Sequence, residues 1–160
     1  MVTKPRATRL SLTVQYATRA VSLPAVATLR RWARAALERD AAVTLRFVGT
    51  REGAALNGAY RGKDGATNVL TFVYDADDAL AGDIVLCTPV LRREAKAQGK
   101  AFPDHCAHLV VHGMLHLQGY DHDRPRAARA MEERETAILA ALGIADPYAD
   151  SGRATAPDRR

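Results

Sequence analysis

The chain has no histidine outside one stretch of eighteen positions, His105 to His122, which holds all five. It has two cysteines, Cys87 and Cys106, too few for a disulfide framework. Cys87 closes an apolar run, so both thiols are expected to be reduced, small core residues, as in cytosolic proteins. Nine aromatics in 160 residues, with no RNA-binding aromatic signature among them, encode no visible reading of bases. The first residues, MVTKPRATRLSLTVQYATR, lack the unbroken apolar core of a signal peptide. No stretch approaches the roughly 20 apolar residues that span a bilayer. These absences predict a soluble cytoplasmic protein with no membrane partner.

What is present is globular. Forty-eight per cent of residues are apolar and 26 per cent charged, and the length fits one domain with a core of its own. The net charge of +5 is uneven. Through Arg51 ten basic residues face two acidic ones, whereas 13 basic and 16 acidic residues follow. Such asymmetry fits a polyanionic partner on the N-terminal half, and it equally fits a solvated surface.

Leu10 to Tyr16 alternates apolar and polar residues, as a half-buried strand does. Ser22 and Pro24 are expected to open a helix running to about Arg39, with Val26, Leu29, Ala33, Ala36 and Leu37 as its core stripe and Arg30, Arg31 and Arg34 toward solvent. Strands are predicted at 42–48, 67–74 and 82–87, and a short helix at 52–60 that ends at Gly62. Lys63, Asp64 and Gly65 read as a turn. Asp75, Asp77 and Asp78 read as an acidic surface loop more readily than as a metal site. Thr88 is expected to cap a helix that has Pro89 in its first turn and ends near Gly99. A histidine-bearing helix starts at 102–104 and stops at Gly119, and a last helix spans about 125–142. The pattern predicts one α+β domain over residues 1–148, a small mixed four-stranded sheet packed with about five helices, and a disordered tail at 149–160.

The histidine helix reads as a metal site. Residues four apart lie about 40° apart around a helix and roughly 6 Å apart along it, so His112 and His116 can face one ion. Ala107, Val110, Met114 and Leu117 form the opposite, core-facing stripe. His108 cannot join both, because it stands roughly 12 Å from His116 along the axis, too far for bonds of about 2.0–2.1 Å. A third ligand must come from beyond the helix, and Gly119 can take positive φ and bring His122 back. Three histidines with an open fourth position suit a catalytic site, where an ion lowers the pKa of bound water to about 7. His108 is the better of the remaining two histidines for a supporting role. Asp121 can orient an imidazole or shape the turn before His122.

The spacing His112-x-x-x-His116-x-x-Gly119-x-x-His122 matches the long zinc-peptidase motif at its histidines and glycine. The peptidases' general-base glutamate is replaced here by Gly113, which counts against proteolysis. The wider run HGMLHLQGYDH resembles the YbeY family of rRNA-maturation endoribonucleases. LNGAYRGKDGATNVLTF (56–72) and AGDIVLC are similar to two further signatures of that family. The resemblance covers about residues 56–122. It implies a zincin-like metal-site helix and one Zn2+ per chain on His112, His116 and His122, with Ni2+ or another divalent ion as a substitute.

It implies further that single-stranded RNA is hydrolysed, in 3′-end maturation of small-subunit (16S) rRNA and in ribosome quality control. The implied partners are rRNA, the small ribosomal subunit, and ribosomal or GTPase assembly proteins, with no DNA. Arg61 matches the family's functionally important arginine. The implied catalytic set is thus Arg61, His112 and His116, with Arg61 clamping a phosphoryl oxygen. No side chain is an evident general base. Two other readings stay open: a ribosome-assembly factor with a structural ion and little catalysis, and, on spacing alone, a metallopeptidase.

Overall fold

The computed structural model describes residues 8–19, 22–62, 65–74 and 80–149, without the side chains of Tyr60 and Arg61. The turn at Lys63 and Asp64, the acidic loop at Asp75, Asp77 and Asp78, and residues 150–160 of the expected tail lie outside them. Strands β1 (Leu10–Ala17), β2 (Ala41–Val48), β3 (Val69–Tyr74) and β4 (Leu80–Cys87) form one sheet in the order β1-β2-β4-β3. The first two pairings are parallel, and β3 joins β4 antiparallel as an edge strand. Five helices accompany them: α1 (Val26–Ala35), α2 (Thr50–Arg61), α3 (Thr88–Gln98), α4 (Phe102–Leu117) and α5 (Pro125–Ala141). The predicted mixed α+β domain is therefore present, with its elements in the expected order.

The two faces of the sheet are covered differently. Val43, Leu45 and Phe47 of β2 and Ile84 and Leu86 of β4 meet α1, α4 and α5 in the main core. Val48, Leu70, Val85 and Cys87 point the other way, into a smaller cluster with Leu56 of α2 and Val90 of α3. The central helix of the main layer is α4. It packs against α1, α3, α5, β3 and β4, and Ala107, Val110, Val111, Met114 and Leu115 are fully buried. Burying each large aliphatic side chain there contributes about 1.5–3 kcal/mol, so this face anchors the layer.

Four local expectations are corrected. Helix α1 begins after Ala25, beyond Pro24, and Ser22 lies outside it at φ 64°. It closes at Ala36 rather than Arg39, where Gln118 donates from Nε2 to the Ala36 carbonyl at 2.8 Å and accepts from the Glu38 amide at 2.6 Å. A side chain from 80 residues away thus ends the helix. Val26 is 38% exposed and drops out of the core stripe, while Arg30, Arg31 and Arg34 are exposed as expected. Thr88 does not cap α3: the N-cap is Cys87, and the buried Thr88 hydroxyl has no partner. Both cysteines are free and buried, and burial pushes the Cys106 thiol up to about 12. No helix among the described residues is long and apolar enough to cross a membrane.

Gly113 sits where α4 packs onto Ile84 of β4. A Cβ there would stand 2.9 Å from Cγ2 and 3.0 Å from Cδ1 of Ile84, a branched side chain with little room to give. Gly113→Ala is expected to cost about 1–3 kcal/mol by overpacking. Combining it with Ile84→Ala, which removes the contacting atoms, should cost less than the sum of the single changes. Urea unfolding of the four proteins measures this, and simple additivity would show that the contact does not limit the helix's approach.

Candidate active site

The face of α4 opposite the core carries His105, His108, His112 and His116 in succession, and each is held differently. His105 is buried and hydrogen-bonds through Nε2 to Glu94 Oε1 at 2.9 Å. His108 Nε2 lies 3.1 Å from Glu135 Oε1 and 3.2 Å from the Tyr148 hydroxyl. His112 turns Nδ1 to Glu135 Oε2 at 2.5 Å, and His116 turns Nδ1 to the Tyr120 carbonyl at 3.1 Å. The Nε2 atoms of His112 and His116 are therefore the nitrogens left for a ligand.

The chain returns over the end of α4 as the sequence suggests. Gly119 has φ 106°, and the Tyr120 amide donates to the Leu115 carbonyl at 3.0 Å, which reverses the backbone. Asp121 takes the turn role, accepting from the Asp123 amide at 2.6 Å. It makes no hydrogen bond to an imidazole among those described; Glu135 and the Tyr120 carbonyl orient the rings instead. His122 arrives with its ring centroid 5.4 Å from His112 and 5.7 Å from His116, while His112 and His116 stack at 6.5 Å.

Three imidazoles radiating tetrahedrally from one ion at about 2.0–2.1 Å would have centroids about 5 Å apart. Among the described residues no three donors are already drawn close enough to grip an ion. The His112–His116 gap is the widest of the three and is the one that sharing an ion would have to close. The donor set suits zinc or a similar borderline ion, and each helical ring has the acceptor behind it that metal-bound histidines use.

The three histidines and Asp123 face residues 67–72, at the start of edge strand β3, across a cleft of about 590 Å³. Asp123 supplies a carboxylate to the histidine side of the cleft, and sequence reading passed over it although it adjoins His122. Glu135 was also missed: a Glu within the helix-forming run MEERET carries no sign that it will be 0% exposed and pointed at α4. Arg61 is the last residue of α2, and its side chain lies outside the described residues.

Burial alone raises the Glu135 pKa. Hydrogen bonds from His108 and His112, the nearby His112 charge and the Tyr148 hydroxyl overcome it and hold the carboxyl at about 2. Burial lowers His116, and the neighbouring His112 and His122 charges add to this against the Tyr120 carbonyl. Burial likewise lowers His105 against the opposing pull of Glu94. Neutral imidazoles at pH 7 are the form a metal requires.

A protein-family profile described as Endoribonuclease YbeY matches residues 14–143. A protein of that name from Aromatoleum aromaticum is 57% identical over 150 residues, covering 92% of this chain and 97% of the relative. One from Azoarcus sp. is 60% identical over 129 residues, covering 76% of this chain and 51% of the relative's own length. A solution structure of a Thermotoga maritima protein shares the fold with a TM-score of 0.55 at 22% identity, covering 86% of this chain and 98% of the other.

The two lowered histidines set a pH dependence. The unfolded chain binds their protons near pH 6.5 and the folded chain only below that, so protons favour unfolding. Metal-free stability should be full above pH 6.5 and decline as the pH falls below it. The Glu135 contribution stays intact in that window, because it is lost only below the unfolded value of 4.5. Urea midpoints at pH 7.5 and 5.5 test this, with a shallower slope expected for His105→Asn. An equal or higher midpoint at pH 5.5 would contradict it.

Proposed function

The chain belongs to the YbeY family of endoribonucleases, and from that premise we propose that it hydrolyses phosphodiester bonds of single-stranded RNA with a divalent ion, Zn2+ first, on His112, His116 and His122. The observation that carries this reading is the convergence of those three rings at one cleft, two of them with Nδ1 already engaged. An ion held there supplies Lewis acidity, activating water and polarising a phosphoryl oxygen. The chain's own part is positioning. The edge of β3 forms the wall against which an extended strand lies, and Asp123 offers a carboxylate for proton transfer from the histidine side of the cleft. Arg61 clamps a non-bridging oxygen through its planar fork of donors. The exposed Arg30, Arg31 and Arg34 of α1 add sequence-tolerant attraction to the RNA backbone. The substrate in this reading is the 3′ end of small-subunit (16S) rRNA, in the cytoplasm. Maturation and ribosome quality control are the setting, and ribosomal or GTPase assembly proteins are the partners that supply site specificity.

One observation favours the second reading, an assembly factor with a structural ion. The best-held carboxylate of the cluster, Glu135, is fully buried behind the imidazoles, where it cannot reach a substrate. The peptidase reading weakens further, because the position of its glutamate is packed against Ile84.

Cleavage of a single-stranded RNA from the 3′ region of 16S rRNA tests the proposal. Chelation or His116→Ala is expected to lower the rate about 10²–10³-fold, the order seen when one transition-state-stabilising group is lost. Arg61→Glu should reduce it at unchanged metal content. Undiminished cleavage by folded, metal-free His116→Ala protein would refute the assignment, and metal binding with no cleavage would favour the assembly factor. Reversing Arg30, Arg31 and Arg34 should also weaken RNA binding and flatten its salt dependence by about 0.7 log units per lost contact. An unchanged slope would remove α1 from the RNA surface.

A further inference from the structure

Glu135 stands on α5, 23 residues past His112 in the chain, with a fully buried side chain. Its Oε2 takes His112 Nδ1, while Oε1 takes His108 Nε2 and the Tyr148 hydroxyl. An ionised carboxylate only accepts, so all three partners must donate. In neutral rings, the form an ion binds, that condition fixes both tautomers. His112 carries its proton on Nδ1 and keeps the Nε2 lone pair free. His108 carries its proton on Nε2, so its Nδ1, buried without a partner, is a bare lone pair and not a stranded N–H. Of the two, the lone pair is the easier group to leave unpaired.

Tyr148 reaches Glu135 from the segment after α5, which is tied down in its own right. The Tyr148 amide donates to Asp146 Oδ1 at 2.8 Å, and Lys100 Nζ donates to the Pro147 carbonyl at 3.2 Å. A ligand-bearing helix, α5 and the last described residues thus meet on one carboxylate.

We propose that Glu135 is the positioning residue of the ion site, holding His112 in the ligating tautomer, and that Tyr148 holds Glu135 in place from the C-terminal segment. This rests on His112, His116 and His122 being the ligands. Glu135→Gln is the informative change because it keeps the shape and replaces one acceptor oxygen by an NH2 donor. In one orientation that donor faces His112 Nδ1 and drives the ring to the Nε2–H tautomer, with a proton where the ion must bind. In the other it faces His108 Nε2 and the Tyr148 hydroxyl, which donate to the wild-type carboxylate and would both have to turn to accept. Adding Tyr148→Phe removes one of those two and lets the amide turn its oxygen toward His112.

The test is affinity for Zn2+ and Co2+, by competition with a chromophoric chelator, together with the visible absorption of the Co2+ form. Circular dichroism checks folding. Wild type is expected to bind one ion and His116→Ala to lose it. Glu135→Gln should bind about 10–100-fold more weakly with an altered Co2+ spectrum, and Glu135→Gln/Tyr148→Phe should recover affinity. A residue acting only in packing would make the double variant worse than the single one, and that result overturns the proposal. Wild-type affinity and spectrum in Glu135→Gln would overturn it as well. Should Glu135→Gln fail to fold, Tyr148→Phe alone decides: weakened affinity supports the proposal and unchanged affinity overturns it. If wild type and His116→Ala bind equally poorly, the ligand assignment itself fails and takes this inference with it.

Discussion

The site depends on how closely α4 can lie against β4. That helix carries two demands on one cylinder: its inner face is the centre of the main core, and its outer face is the wall of the cleft. The absence of a side chain at Gly113 removes the spacer, so the backbone settles onto Ile84 and the outer face is aimed by the sheet itself. Gly113 therefore does more than omit a catalytic carboxylate. It removes the room in which one could have stood.

Around that fixed face, the rings are oriented by groups from three different parts of the chain. Tyr120, just past α4, offers its carbonyl to His116; Glu135 on α5 serves His112; Tyr148 steadies Glu135 from beyond α5. The carboxylate is buried where it is screened from solvent and unavailable to a substrate, which suits an orienting group better than a reacting one. The reacting side is left to the cleft. There the outer side of β3 faces the histidines, because β3 is the last strand of the sheet among the described residues.

Most of the fold was legible because its signals are local. Alternation marked β1, Gly62 and Gly99 sit in left-handed caps after α2 and α3, and apolar spacing picked out the buried face of α4. The errors arose where a distant residue intervened. Gln118 ends α1 earlier than its periodicity suggests, and Thr88 looks like a cap by composition but falls one position inside the helix. The same division runs through the site. His112, His116 and the return of His122 follow from helical pitch and a positive-φ glycine, both properties of a short stretch. Glu135 and Asp123 have no such local mark.

The sequence by itself determined the order of the elements, the face on which the histidines stand, and the exclusion of a glutamate base at Gly113, since each depends on spacing within one segment. Only the tertiary structure decided which groups turn His105 and His108 aside, what orients the rings of His112 and His116, and that β3 supplies the opposite wall of the cleft. Those outcomes depend on hydrogen bonds and packing between residues tens of positions apart. No periodicity records such contacts, because they come into being only when the sheet and α4 close on one another.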